Sequence, residues 1–157
     1  MLPNTYMRCL RQYKYGFDIG GFIVFLAIML PNIIWFVFPA QNDIFRTESI
    51  TPIIDFVGLC SQILMIAVLC CIQRRDYQLK WFSTIIGGIV AGIIAYYACW
   101  LAYYAGNTSA LVVLLLACVP CFCFILLAVE RKNWVALFFT SVFTICHVAS
   151  SVVNFVI

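Results

Sequence analysis

The chain has 157 residues, 66% hydrophobic and 10% charged, and its nine Lys and Arg against six Asp and Glu give a formal net charge of +3. Soluble domains carry about 25% charged residues, and no water-soluble fold of this size hides so much apolar side chain. These proportions exclude a soluble globular domain and direct the chain to the lipid bilayer; the small basic excess, with no projecting domain to carry a basic patch, excludes nucleic acid as a partner.

A bilayer core about 30 Å thick takes roughly 20 helical residues per crossing. Long apolar runs separated by short polar breaks predict helices rather than the alternating strands of a barrel. Five spans fit, over residues 17–38, 52–72, 81–104, 109–129 and 134–156, so the fold expected is an all-α integral membrane protein, a single bundle of five transmembrane helices over 1–157. The first run is too long for a signal-peptide core and no small-x-small cleavage site follows it, so it is expected to remain as a span.

In chain order, span one places Asp18, Gly21, Phe25, Ile28, Asn32 and Trp35 on one face by steps of three and four. Pro31 removes a helical hydrogen bond and frees the carbonyl of Ala27, which loosens the helix beside Asn32. The connection that follows carries Gln41, Asn42, Asp43, Arg46 and Glu48, and is expected to be a solvated loop, with a rim or lid over a pocket as the alternative. Thr51-Pro52 places a capping residue before a first-turn proline at the start of span two. Its polar face holds Asp55, Gly58, Gln62 and Met65. Asp18 and Asp55 both answer the dipole of a helix start, and Asp55, about one turn inside the membrane, is also a candidate functional carboxylate.

Span three carries Gly88 and Gly92 as a GxxxG pair, widened by Gly87, Ala91 and Ala95. Such a face lets helix backbones approach closely in lipid, and internal packing is expected rather than homodimerisation. The sequon at Asn107 lies in a turn tight against the membrane and is not expected to be modified, while Thr108 or Ser109 caps span four. Span four contains Cys118-Val-Pro-Cys121, with Cys123 beyond it. Asn133 caps span five, whose polar face is Thr140, Thr144, His147, Ser151 and Asn154. Trp35, Trp81, Tyr103, Tyr104 and Trp134 stand where an interfacial aromatic belt belongs.

Arg8, Arg11 and Lys14, then Arg74, Arg75 and Lys80, then Arg131 and Lys132 all fall on one side of this topology, and only Arg46 falls on the other. The positive-inside rule therefore puts the N-terminus in the cytoplasm and the C-terminus outside, in a multi-pass protein expected in the cytoplasmic or plasma membrane. In that orientation Asn32, Asp55, Gln62, Tyr97, His147, Ser151 and Asn154 converge toward the external half, where they are the candidate lining of an outward-facing polar pocket. The bland reading of the same residues is interhelical glue, worth about 1 kcal/mol each.

His147 is the only histidine, and without a second His or an HxxxH or ExxH spacing no metal site is expected. No catalytic residue and no cofactor is indicated. The leading function is binding, sensing or transport of a small molecule or ion. The alternative is an accessory or immunity-type protein that packs against a membrane-protein partner. Thiol oxidoreduction by Cys118 and Cys121 ranks third, because both lie near mid-membrane, where a thiolate is disfavoured. Cys60, Cys70, Cys71, Cys99 and Cys146 read as small packing residues. These residues identify no family: the length and five spans are shared with the tryptophan-rich sensory proteins, but the tryptophan and proline motifs of that class are missing.

Overall fold

A computed structural model describes residues 12–41, 43–78 and 82–157. Arg8, Arg11, Asn42, Lys80 and Trp81, which entered the sequence reading, lie outside the described residues. Five helices carry the chain: α1 (Ile19–Val37), α2 (Pro52–Cys71), α3 (Thr84–Tyr104), α4 (Ala110–Glu130) and α5 (Trp134–Phe155). All five are long and apolar enough to cross a membrane. Their outward faces carry large apolar side chains such as Ile23, Phe56, Ile94, Phe122 and Ile145, a surface suited to lipid rather than water.

Two three-residue strands, unforeseen in the sequence, close one end. Strand β1 (Tyr13–Tyr15) pairs antiparallel with β2 (Ile72–Arg74), with Lys14 opposite Gln73. This ribbon end gathers the last carbonyls of α2. Gly16 N donates to Cys71 O at 3.1 Å and Asp18 N to Cys70 O at 2.8 Å. Asn133 Nδ2 donates to Ile72 O at 2.9 Å and Val68 O at 3.3 Å, while its Oδ1 caps α5 by accepting from Ala136 N at 3.1 Å. One buried amide thus satisfies the end of one helix and the start of another.

Asp18 does more than answer a helix dipole. It caps α1 through Gly21 N at 3.0 Å and forms a buried ion pair with Arg131, Nε to Oδ2 at 2.5 Å and Nη2 to Oδ1 at 3.3 Å. Arg131 also donates to the Tyr77 hydroxyl at 2.5 Å and lies over that ring, 5.1 Å from its centroid. The start of α1 and the end of α4 are therefore joined by two opposite charges, each of which would be severely unstable there alone.

α4 is the most buried helix and α1 is among the least covered. The small face of α3 is used internally: a Cβ built on Gly92 would stand 2.5 Å from Cys123 Sγ of α4. Turns α3–α4 and α4–α5 are alike. Each has a left-handed residue, Gly106 at φ 90° and Lys132 at φ 50°, followed by a 6→1 bond, Asn107 N to Ala102 O at 3.0 Å and Asn133 N to Ala128 O at 2.9 Å.

Two expected caps differ. Neither Thr51 nor Ser109 makes a side-chain capping bond; the Thr51 hydroxyl is drawn into α5 contacts, and Asn107 Oδ1 takes Ser109 N at 3.1 Å instead. Ser83, not singled out in the sequence, caps α3 through Ile86 N at 3.1 Å.

Candidate functional site: a cavity between α1, α3, α4 and α5

The inward stripes meet at the end opposite the ribbon. A cavity of about 220 Å³ lies there, lined by Asn32 of α1, Tyr96 and Trp100 of α3, and His147 and Ser151 of α5. Val113, Leu116 and Ala117 of α4 supply its apolar wall, and Trp35, Phe45 and Phe155 complete the lining. At about 30 Å³ per water, the volume is that of roughly seven waters or one small molecule.

Hydrogen-bonding capacity around this space is only partly spent. Asn32 Nδ2 donates to Ile28 O at 2.9 Å and to Tyr96 Oη at 2.8 Å, but Asn32 Oδ1 has no partner among the described residues. The His147 ring stacks on Phe143 at 5.1 Å, and neither ring nitrogen is hydrogen-bonded among the described residues. Ser151 Oγ donates to His147 O at 2.8 Å. Among the described residues Trp100 Nε1 is buried without a well-formed hydrogen bond. An unpaired buried donor is uncommon in a native structure.

The middle of the first connection, Asp43 to Phe45, turns inward over this region, while Gln41 and the stretch from Arg46 to Ile50 stay exposed, so only part of it is the solvated loop expected. Asp43 is its hub: Oδ1 accepts from Tyr103 Oη at 2.7 Å and Phe45 N at 3.1 Å, and Oδ2 accepts from Trp35 Nε1 at 2.8 Å. Arg46 Nε lies 3.3 Å from Asp43 Oδ2, and its guanidinium sits over Trp35, 5.6 Å from the ring centroid. These bonds hold the short turn Ile44–Arg46, and Phe45 packs on Tyr103 at 4.8 Å and Phe155 at 5.0 Å. Trp35 and Tyr103 are therefore not belt residues alone. Tyr103 is 1% exposed and Trp35 faces Asp43. The missed signal was an acid and a base three residues apart, Asp43 and Arg46, in reach of tryptophan and tyrosine.

The other candidates are placed elsewhere. Tyr97 Oη donates to Ala27 O at 2.7 Å, the carbonyl that Pro31 leaves free. Tyr97 thus repairs the proline defect and faces a groove between α1 and α3 with Leu30 and Pro31. Asn154 ties α5 to the chain before α2: Oδ1 accepts from Ile50 N at 2.8 Å and Nδ2 donates to Thr51 Oγ1 at 2.8 Å. Asp55 accepts from the hydroxyls of Ser49 and Ser150, and with Gln62 it lines a second cavity of about 190 Å³ on the α2–α5 seam. Thr140 and Thr144 donate to Ala136 O and Thr140 O within α5, both at 2.7 Å, rather than to another helix.

Cys118 is exposed on the outside of α4 whereas Cys121 is buried in the core, and all described cysteines are free. The two thiols of the CxxC spacing therefore occupy different surroundings near the middle of one helix. Comparison with protein-family models, curated proteins and solved structures finds no match to this chain.

Proposed function

We propose that this is a small multi-pass membrane protein that binds one small molecule in the cavity beside His147, as a sensor or carrier. The observation that carries the reading is the convergence of Asn32 and His147, with hydrogen-bonding capacity unspent, on a space walled by aromatic rings. Ligand sites are mostly apolar with a few convergent polar groups. No charged residue lines this chamber among the described residues, which argues against a bare ion as its occupant, since an unpaired charge in so apolar a space is costly.

The ribbon end faces the cytoplasm in this proposal, and the cavity lies in the external half of a plasma-membrane bundle. Lys14, Arg74, Arg75, Arg131 and Lys132 belong to that end, against Arg46 alone at the other among the described residues. This asymmetry supports the assignment.

A second reading, an accessory protein packing against another membrane protein, draws on the outer polar residues of α2 and α5. Thr51, Asp55, Ser150 and Asn154 bond to one another and act as internal glue. Mass spectrometry of small molecules retained through gentle solubilisation separates the readings. Wild type is expected to retain one compound class that Asn32→Leu and His147→Leu both lose while remaining folded. Equal retention by all three proteins, or none by any, would remove the cavity from function.

A further inference from the structure

The second cavity holds a charge that nothing balances among the described residues. Asp55 stands in the first turn of α2, and its carboxylate accepts only from neutral hydroxyls, those of Ser49, Thr51 and Ser150. The one basic side chain described at this end, Arg46, is committed to Asp43. Gln62 lines the same cavity and makes no hydrogen bond among the described residues. The space, about 190 Å³, is far larger than a bare metal ion requires. Hydroxyls and a helix start ease an isolated carboxylate in a low-dielectric setting, but a cation eases it most.

His147 is the one residue that lines both cavities. It lines the aromatic chamber together with Trp35, Phe45 and Phe155, and the second cavity together with Asp55, Gln62 and Ser150. We infer that the two cavities form one bipartite site for a small aromatic amine: its ring occupies the aromatic chamber, its ammonium group lies beside Asp55, and His147 turns to admit the link between them. This inference rests on the ligand-binding reading above and assigns its ligand class. The ring meets aromatic faces, and the ammonium finds a carboxylate with no other cation to displace.

Three probes test it on the full chain in phosphatidylcholine nanodiscs, read by saturable quenching of tryptophan fluorescence, because Trp35 and Trp100 line the aromatic chamber. They are phenethylamine, which carries ring and ammonium; benzyl alcohol, which carries the ring without charge; and ethylammonium chloride, which carries the charge without the ring. Phenethylamine is expected to bind at least about tenfold more tightly than either fragment. Asp55→Asn is expected to abolish that advantage and leave benzyl alcohol binding unchanged. Gln62→Leu, which breaks no hydrogen bond of the fold, is expected to weaken phenethylamine and spare benzyl alcohol. If benzyl alcohol binds and phenethylamine gains nothing, or its gain survives Asp55→Asn and Gln62→Leu, the amine subsite is overturned while the ligand cavity stands. If no probe binds, the ligand-binding reading falls and the amine subsite with it.

Discussion

Removing either partner of the Asp18–Arg131 pair is expected to destabilise the bundle by about 3–5 kcal/mol, the cost of leaving one buried charge uncompensated. Asp18→Asn isolates the charge effect, because asparagine caps a helix as well as aspartate does and Gly21 N keeps an acceptor. Arg131→Met leaves the cap intact and removes the cation together with its contacts to Tyr77. The double variant, Asp18→Asn with Arg131→Met, is expected to lose much less than the sum of the two, since no unpaired charge remains. Denaturant midpoints in detergent micelles measure all four proteins. Single-variant losses below about 1 kcal/mol would mean that the pair is screened by water, contrary to side-chain exposures of 7% for Arg131 and 6% for Asp18.

The second large effect lies between α3 and α4. A methyl group at position 92 would meet Cys123 Sγ at 2.5 Å, and Cys123 is fully buried with its thiol aimed at Ile89 O, 3.8 Å away. Gly92→Ala is therefore expected to cost about 1–3 kcal/mol by overpacking, in spite of alanine's better helix propensity. Gly92→Val is expected to cost more. Pairing Gly92→Ala with Cys123→Ala makes room for the methyl and is expected to restore most of the loss. Gly87→Ala is the control: nothing lies within 4 Å of its new Cβ, so it should be neutral or gain up to about 1 kcal/mol. Thermal unfolding of the five proteins reads these differences. Equal tolerance at 87 and 92 would contradict the internal use of the small-residue face.

The helices and their inward faces were legible because apolar length and a spacing of three and four are local properties of a chain. Expected span two, residues 52–72, and observed Pro52–Cys71 differ by one residue at one end. Gly21, Ile28, Met65, Thr140 and Ser151, all on expected stripes, are buried. What periodicity does not carry is partner identity. Asp18 and Arg131 are separated by 113 residues, and each alone reads as an ordinary helix-end charge. Asn154 shares the stripe of His147, yet the backbone at Ile50 takes its carbonyl oxygen before any cavity can. The ribbon strands are three residues each, too short to show alternation. The first connection looked solvated because its composition is polar, but Trp35 and Tyr103 turn Asp43 inward, and Phe45 follows. Of the candidate site, Asn32, His147 and Ser151 line one space, Asp55 and Gln62 line the adjoining one, and Tyr97 and Asn154 serve the fold.

Ala117 offers the most direct test of the cavity as a ligand site. It is 3% exposed and lines the chamber from α4, away from the polar groups. Ala117→Leu would fill part of the space without altering a hydrogen bond. Native mass spectrometry of wild type and this variant, released from the same nanodiscs, measures the retained small molecule in each. The expected result is a bound compound in wild type, none in the variant, and an unfolding temperature for the variant no lower than that of ligand-free wild type. Undiminished retention by Ala117→Leu would show that whatever is bound lies elsewhere, and would contradict the assignment of the chamber beside His147.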